Sequence, residues 1–315
     1  MKKAIILAVV IAAALFGLSV FNPWAAPSLA EAEPRIAAAL DGSVCYFAVN
    51  RSYGSFVFGV NERGQVGFVY TDKAVDESGR RYAVADLLWS GGQLWLLREA
   101  GEDRLESGET VRRQIWRLDP ETGIAAAAVP RLTFRGGAFR LSADGERIYL
   151  SYRDADGRRA YAYAVNADGG AAGSLALAVD APADTLIRAA VYSGKYLYCA
   201  LSDGSVRAFN AAGVKTEFTG GETGALWAGG DNLFFVDTAA NSAHFTLNSL
   251  PAHAVPPARS ETITAGLPLA DGFVALAAAP DGGAALLRYA GASFGDPVPL
   301  ASGAGANLRF SLAAA

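Results

Sequence analysis

Trp89-Ser90-Gly91-Gly92-Gln93-Leu94-Trp95-Leu96-Leu97 is the stretch that decides the fold. An aromatic-small-Gly step is followed at once by a run of residues that favour extended chain, which reads as a tight turn between two strands. Tyr192-Ser193-Gly194 repeats the step before Tyr196-Leu197-Tyr198-Cys199, and Trp227-Ala228-Gly229 carries it again. Gly145 stands in the same relation to Arg147-Ile148-Tyr149-Leu150. Turns anchored on glycine recur at Gly42, Gly91, Gly145, Gly194, Gly230 and Gly272, with spacings of 49, 54, 49, 36 and 42. The residues between them lack the 3.6-residue apolar period of helices, so the repeat is built of strands.

A second landmark lies within several repeats: a strand, an Asn or Asp, then a turn closed by Gly. It appears as Phe58–Gly64, Ile115–Gly123, Tyr163–Gly169 and Val206–Gly213. Asx side chains bond their own backbone and glycine accepts positive φ, which makes these hairpin turns. Each unit then contains four strands. One such sheet cannot cover both its faces, but sheets packed in a ring can. The expectation is an all-β fold, a β-propeller of six four-stranded blades over roughly 35–72, 82–130, 131–180, 185–220, 222–263 and 264–300, with seven blades as the alternative. Glu99–Arg113 reads as a charged hairpin loop and Pro251–Pro257 as a loop near an outer edge.

IWRLDPETG (Ile115–Gly123) and DGSVRAFNAAGVKTEF (Asp203–Phe218) resemble the repeats of quinoprotein-like (PQQ-like) β-propellers. The resemblance spans most of the chain from about Arg35 onward. It implies a fold and leaves the activity open, because propellers host unrelated functions. Two departures stand out. The tryptophan that docks each blade in that family is mostly replaced here. The adjacent cysteines of its quinone-dependent dehydrogenases are also missing, since Cys45 and Cys199 lie 154 positions apart.

Residues 1–32 read as a signal peptide or a signal anchor. Met1-Lys2-Lys3 is a short positive start, and Ala4–Phe21 is uncharged. Ser28-Leu29-Ala30 and Ala30-Glu31-Ala32 both fit a small-x-small cleavage site. As a helix, Ala4–Phe21 would span about 27 Å, close to a bilayer's hydrocarbon core, so retention as a membrane tether stays open beside cleavage. Either way, residues 35–315 form an extracytoplasmic domain, whether secreted, periplasmic or held at the cell surface. Arg35–Leu40 reads as the first inner strand of blade one; alternatively, Asn307–Ala315 closes that blade from the other end, or starts a second apolar span in a longer membrane receptor.

Composition narrows the chemistry. The 315 residues carry 27 Lys+Arg against 31 Asp+Glu, a net charge of −4 with no basic block, so no nucleic-acid partner is expected. Two Cys and two His are too few for a Cys/His zinc site. Ser-x-x-Lys, His-Glu-x-x-His and phosphate-loop motifs are missing, and no cofactor is implied. Asp154-Ala155-Asp156-Gly157 starts like a calcium loop, but Arg158 and Arg159 occupy later ligand positions, which favours a plain turn. His244 and His253 read as loop histidines. Cys45 and Cys199, in the first and fourth units, should lie about 20 Å or more apart and stay unjoined.

Tyr82–Trp89, Gly137–Ser142, Leu186–Tyr192, Ala225–Trp227 and Thr262–Leu269 are the candidate inner strands, which line the channel where propeller ligands sit. Asp86, Arg140 and Arg188 interrupt their apolar pattern. Charges are seldom buried unpaired, so these three either tie neighbouring blades together or form a channel-mouth site for a small anionic ligand. The expected function is a non-catalytic module that binds a ligand or a protein partner. The alternatives are the sensory half of a transmembrane signalling protein, and an enzyme (lactonase, lyase or quinone-dependent oxidoreductase) with a metal site in the channel.

Overall fold

The computed structural model describes residues 35–41, 44–51, 53–61, 66–101, 111–145, 147–166, 173–219, 221–223, 226–229 and 232–246. It also describes the strands at 253–255, 262–269, 272–278, 284–290, 293–294, 298–301 and 309–313. The signal or anchor reading of residues 1–32 lies outside them. Among the described residues, every regular element is a strand, and no helix is long and apolar enough to cross a membrane.

The strands form six antiparallel meanders in chain order. Sheet one holds β1 (Arg35–Asp41), β2 (Val44–Arg51), β3 (Gly54–Asn61) and β4 (Val66–Asp72). Sheet two holds β5 (Ala83–Ser90), β6 (Gln93–Ala100), β7 (Arg112–Leu118) and β8 (Ala125–Leu132). Sheet three holds β9 (Gly137–Ala143), β10 (Ile148–Arg153), β11 (Arg159–Ala164) and β12 (Leu175–Asp180). Sheet four holds β13 (Ile187–Tyr192), β14 (Leu197–Leu201), β15 (Ser205–Asn210) and β16 (Gly213–Thr219). Sheet five holds β17 (Leu226–Gly229), β18 (Asn232–Asp237), β19 (Ser242–Phe245) and β20 (His253–Val255). Sheet six holds β21 (Thr262–Leu269), β22 (Gly272–Ala278) and β23 (Ala284–Ala290), with β24 (Ser293–Phe294) and β25 (Val298–Ala301) both paired to β23. Finally β26 (Arg309–Ala313) runs parallel to β1, pairing Arg35 with Arg309 through Ala39 with Ala313.

The first strand of each sheet meets the first strand of the next: β5 with β9, β9 with β13, β13 with β17 and β17 with β21. β26 touches both β21 and β5, so it stands between the last sheet and the second. Sheets one and six therefore hold five strands rather than the expected four. In sheet one the two candidate first strands are both used, with β26 outside β1.

All six anchoring glycines fall where the first strand of a sheet gives way to the second. Gly91 shows why: its φ of 61° is left-handed, and no atom lies within 4 Å of the place a Cβ would take. Backbone alone demands the glycine. Of the four expected Asx turns, those at Asp119 and Asn210 behave as read, and those of Phe58–Gly64 and Tyr163–Gly169 lie outside the described residues. Asp119 Oδ1 accepts hydrogen bonds from the Glu121 amide at 2.9 Å and the Thr122 amide at 3.3 Å. Asn210 Oδ1 accepts from the Ala212 amide at 3.0 Å. Asp154 closes the β10–β11 hairpin, its Oδ1 accepting from the Arg158 amide at 2.8 Å, which is turn chemistry. Two loop expectations need correction. Pro251–Pro257 contains strand β20, and Glu99–Arg113 contributes the end of β6 and the start of β7. Pairing across sheets five and two extends the strands beyond the local turn signals.

The core is a series of seams between sheets. Leu88, Leu97 and Ile115 of sheet two pack with Leu141 and Leu150 of sheet three. Val191 and Tyr198 of sheet four pack with Leu226 and Phe235 of sheet five. Second strands are covered on both faces, so Leu94–Leu97 is a continuous buried run instead of an alternating one. The seam between sheets five and six is tight at Gly266. A Cβ there would lie 2.2 Å from Phe234 Cζ, and that ring is fully buried. We expect Gly266→Ala to cost about 1–3 kcal/mol by overpacking, read as a lower urea midpoint. An unchanged midpoint would contradict this packing.

Candidate ligand site

Buried or half-buried polar side chains fasten four of the first strands, β5, β9, β13 and β21, to the sheet before each. Asn50 of β2 holds Val84 of β5 from both sides: its Oδ1 accepts from the Val84 amide and its Nδ2 donates to the Val84 carbonyl, each at 2.9 Å. Asp86 of β5 repeats the device on sheet three, where its Oδ2 accepts from the Leu141 amide at 2.8 Å. Ser151 Oγ accepts from the Tyr192 amide at 3.0 Å, and Asn241 Oδ1 accepts from the Ile263 amide at 3.0 Å. The free edge of a first strand would otherwise present unmatched donors inside the protein, at a cost of about 1–3 kcal/mol each.

Two of the three charged residues expected on inner strands come together. Asp86 is fully buried, and its Oδ1 lies 3.5 Å from Arg140 Nη1. The Arg140 guanidinium also sits 5.4 Å from the centre of the Trp227 ring. Arg188 does not join them. Its side chain is exposed, and its carbonyl accepts from Arg153 Nε at 3.2 Å. The cause is register. Asp86 and Arg140 each precede their turn glycine by five residues, a place occupied by Ala189 in sheet four. Arg188 precedes its glycine by six, the place that Ala85 holds in sheet two, and strand alternation turns that position to the other face.

Burial pushes the Asp86 carboxyl up to about 6, against the pull of Arg140 and of the Leu141 and Leu87 amides. The sign follows directly. Between about pH 4 and 6 the folded chain holds a proton that the unfolded chain has released, so stability falls as pH rises through that window. Asp86→Asn keeps an acceptor for the Leu141 amide and cannot titrate. Compared with the parent, it should flatten the fall by about 2–3 kcal/mol in urea unfolding from pH 4 to 7. Parallel stability profiles would contradict the assignment.

A different group of residues forms a cavity of about 720 Å³ at the end of sheet two. Its wall includes the connection from β4 to β5, where Asp76 folds a short loop. Asp76 Oδ1 accepts from the Ser78 amide at 2.9 Å and the Arg80 amide at 2.8 Å. Burial opposes ionisation of Asp76, but those amides and the Arg80 guanidinium outweigh it and hold the carboxyl below its ordinary range. The remaining wall comes from the ends of β6, β7 and β8 and the chain leaving β8.

Six arginines line this cavity: Arg80, Arg98, Arg112, Arg113, Arg131 and Arg135. Four have acidic partners. Arg80 Nε lies 3.1 Å from Asp76 Oδ2, and Arg112 Nη1 lies 2.8 Å from Glu77 Oε1. The hydrogen bond and charge of Arg112 hold Glu77 below its ordinary range. Arg113 pairs with Glu99, directly opposite it across β6 and β7. Arg98 is 1% exposed, with Nε 2.7 Å from Asp72 Oδ2, and its guanidinium lies between the rings of Tyr82 at 4.5 Å and Trp116 at 4.2 Å. Its Nη1 has no hydrogen-bond partner among the described residues. Arg131 and Arg135 are exposed and make no ion pair among the described residues. Pleat alternation sends Arg98 toward sheet one and Arg113 toward sheet three, so their meeting at one opening is not visible along the chain. The Asp76-Glu77-Ser78-Gly79 turn was the local signal for the loop.

Among the described residues, no three His, Cys, Asp or Glu side chains gather as a metal site. His244 stacks on Phe235 with ring centres 4.8 Å apart, and its Nε2 lies 3.1 Å from Ser242 Oγ. Cys199 is buried and free. The side chain of Cys45 lies outside the described ones.

No family model matches the chain, and no curated protein matches it. Solved structures do. BamB from Moraxella catarrhalis is 15% identical, with 84% of this chain and 76% of that one covered at a TM-score of 0.40. A putative 6-phosphogluconolactonase from Bacteroides uniformis is 14% identical, with 85% and 87% covered at 0.49. Virginiamycin B lyase from Staphylococcus aureus is 12% identical, with 76% and 90% covered at 0.44. At these identities and scores, no activity passes from them to this chain.

Proposed function

We propose that the six sheets are the blades of a closed six-bladed propeller, exported through residues 1–32, and that it is a non-catalytic module binding an anionic ligand. The contact order of the first strands, with β26 between β21 and β5, supports the ring. The single observation that carries the binding role is the arginine-lined cavity beside sheet two. Guanidiniums present planar, paired donors suited to carboxylate or phosphate. In this reading Asp86 and Arg140 tie blades two and three, and Arg188 is a surface residue outside the site.

The test is thermal unfolding of the intact chain with phosphate, citrate and chloride at matched ionic strength. A multivalent anion at a hundred times its Kd should stabilise by about 2.7 kcal/mol. The Arg131→Ala/Arg135→Ala variant should fold normally, since both side chains are exposed, and lose that stabilisation. Equal stabilisation of parent and variant, or none with any multivalent anion, would overturn the reading.

A further inference from the structure

Resting on that reading, we infer that the ligand is a small organic dianion, held between Arg131 and Arg135. The argument is one of charge balance. Six guanidiniums face the cavity, and four carboxylates, those of Asp72, Asp76, Glu77 and Glu99, are already engaged with Arg98, Arg80, Arg112 and Arg113. Among the described residues, Arg131 and Arg135 are left without an ion pair, Arg131 acting on Glu77 only through its charge, and both belong to one short segment, on either side of Thr133. A monoanion would engage one of them and leave the other without an ion pair among the described residues. The buried Arg98 Nη1 adds a donor with no partner among the described residues at the inner wall.

The ligand also has an organic part. About 720 Å³ is far more than one phosphate or carboxylate group fills, and it lies in the size range of small-molecule sites. Tyr82, Trp116 and Val75 supply apolar wall for the rest of the molecule. A phosphomonoester and a dicarboxylate both satisfy this chemistry.

Titration calorimetry on the intact chain at pH 8 and low salt tests it, with two matched pairs of probes. Methyl phosphate is a dianion at that pH and dimethyl phosphate is a monoanion of the same shape class. Succinate and propionate form the carboxylate pair. The expected result is a dianion preferred over its monoanion by about tenfold or more in at least one pair. The pair that shows it assigns phosphate or carboxylate. Arg131→Ala and Arg135→Ala should each erase the preference while leaving weak monoanion binding. Equal binding of dianion and monoanion in both pairs would overturn this inference and leave anion binding standing. Failure of all four probes, or unchanged binding in both variants, would overturn the binding role itself.

Discussion

Asp72→Asn is expected to cost about 3–5 kcal/mol of folding stability, among the largest effects of any single change in the chain. Asp72 and Arg98 are 3% and 1% exposed, and the carboxylate meets the guanidinium through both oxygens, at 2.7 Å and 3.2 Å. Removing the carboxylate's charge leaves a buried cation whose other neighbours are two aromatic faces. Those contacts contribute, at about 0.5–2 kcal/mol each, but do not replace a counter-ion. Burial raises the Asp72 carboxyl above its ordinary range in spite of Arg98, which shows how costly these charges are to enclose. The pair is thus a joint between sheets one and two whose halves must be removed together. Asp72→Asn combined with Arg98→Met should cost less than Asp72→Asn alone in a urea double-mutant cycle. A double variant as unstable as the two singles added together would contradict a coupled pair.

Loss of β26 is the second large effect. Deleting residues 302–315 would expose the edge of β1 from Arg35 to Ala39 and separate β21 from β5. Backbone hydrogen bonds contribute about 0.5–1.5 kcal/mol each, so the lost pairing alone amounts to a few kcal/mol. The ring reading adds a qualitative outcome. Sheets one and six should become the first to open, seen as early hydrogen exchange at β1, β21 and β22 while β9 to β15 stay protected. Uniform loss of protection across all six sheets would contradict it.

Much of the architecture was legible because turn chemistry is local. Gly91, Gly145 and Gly194 announce their hairpins within two or three residues, and each falls between the first and second strands of a sheet. Arg35–Leu40 and Asn307–Ala315 read from the sequence as alternative strands for the first blade. Pairing of the two ends is the most distant contact in the chain, and nothing local distinguishes them; the structure uses both. The inner-strand charges were half legible. Asp86 and Arg140 share a level five residues before their turn glycines, but Arg188 stands six before Gly194, where alternation faces it the other way. The arginine cavity was not legible. Arg98, Arg112 and Arg131 belong to three different strands, and their neighbours in sequence face other seams. Only after β6, β7 and β8 pair in register do their ends bring these side chains to one opening.

Closure is the claim on which the other arguments stand, and a disulfide across it is the most direct test. Ala37 of β1 and Ser311 of β26 are paired residues of the parallel ladder, so cysteines placed at both lie within bonding range. Ala37→Cys/Ser311→Cys in the intact chain, oxidised and mapped by peptide mass spectrometry, should show the 37–311 link as the dominant disulfide, with a raised unfolding temperature. A folded protein in which both introduced thiols remain free would contradict the closed ring.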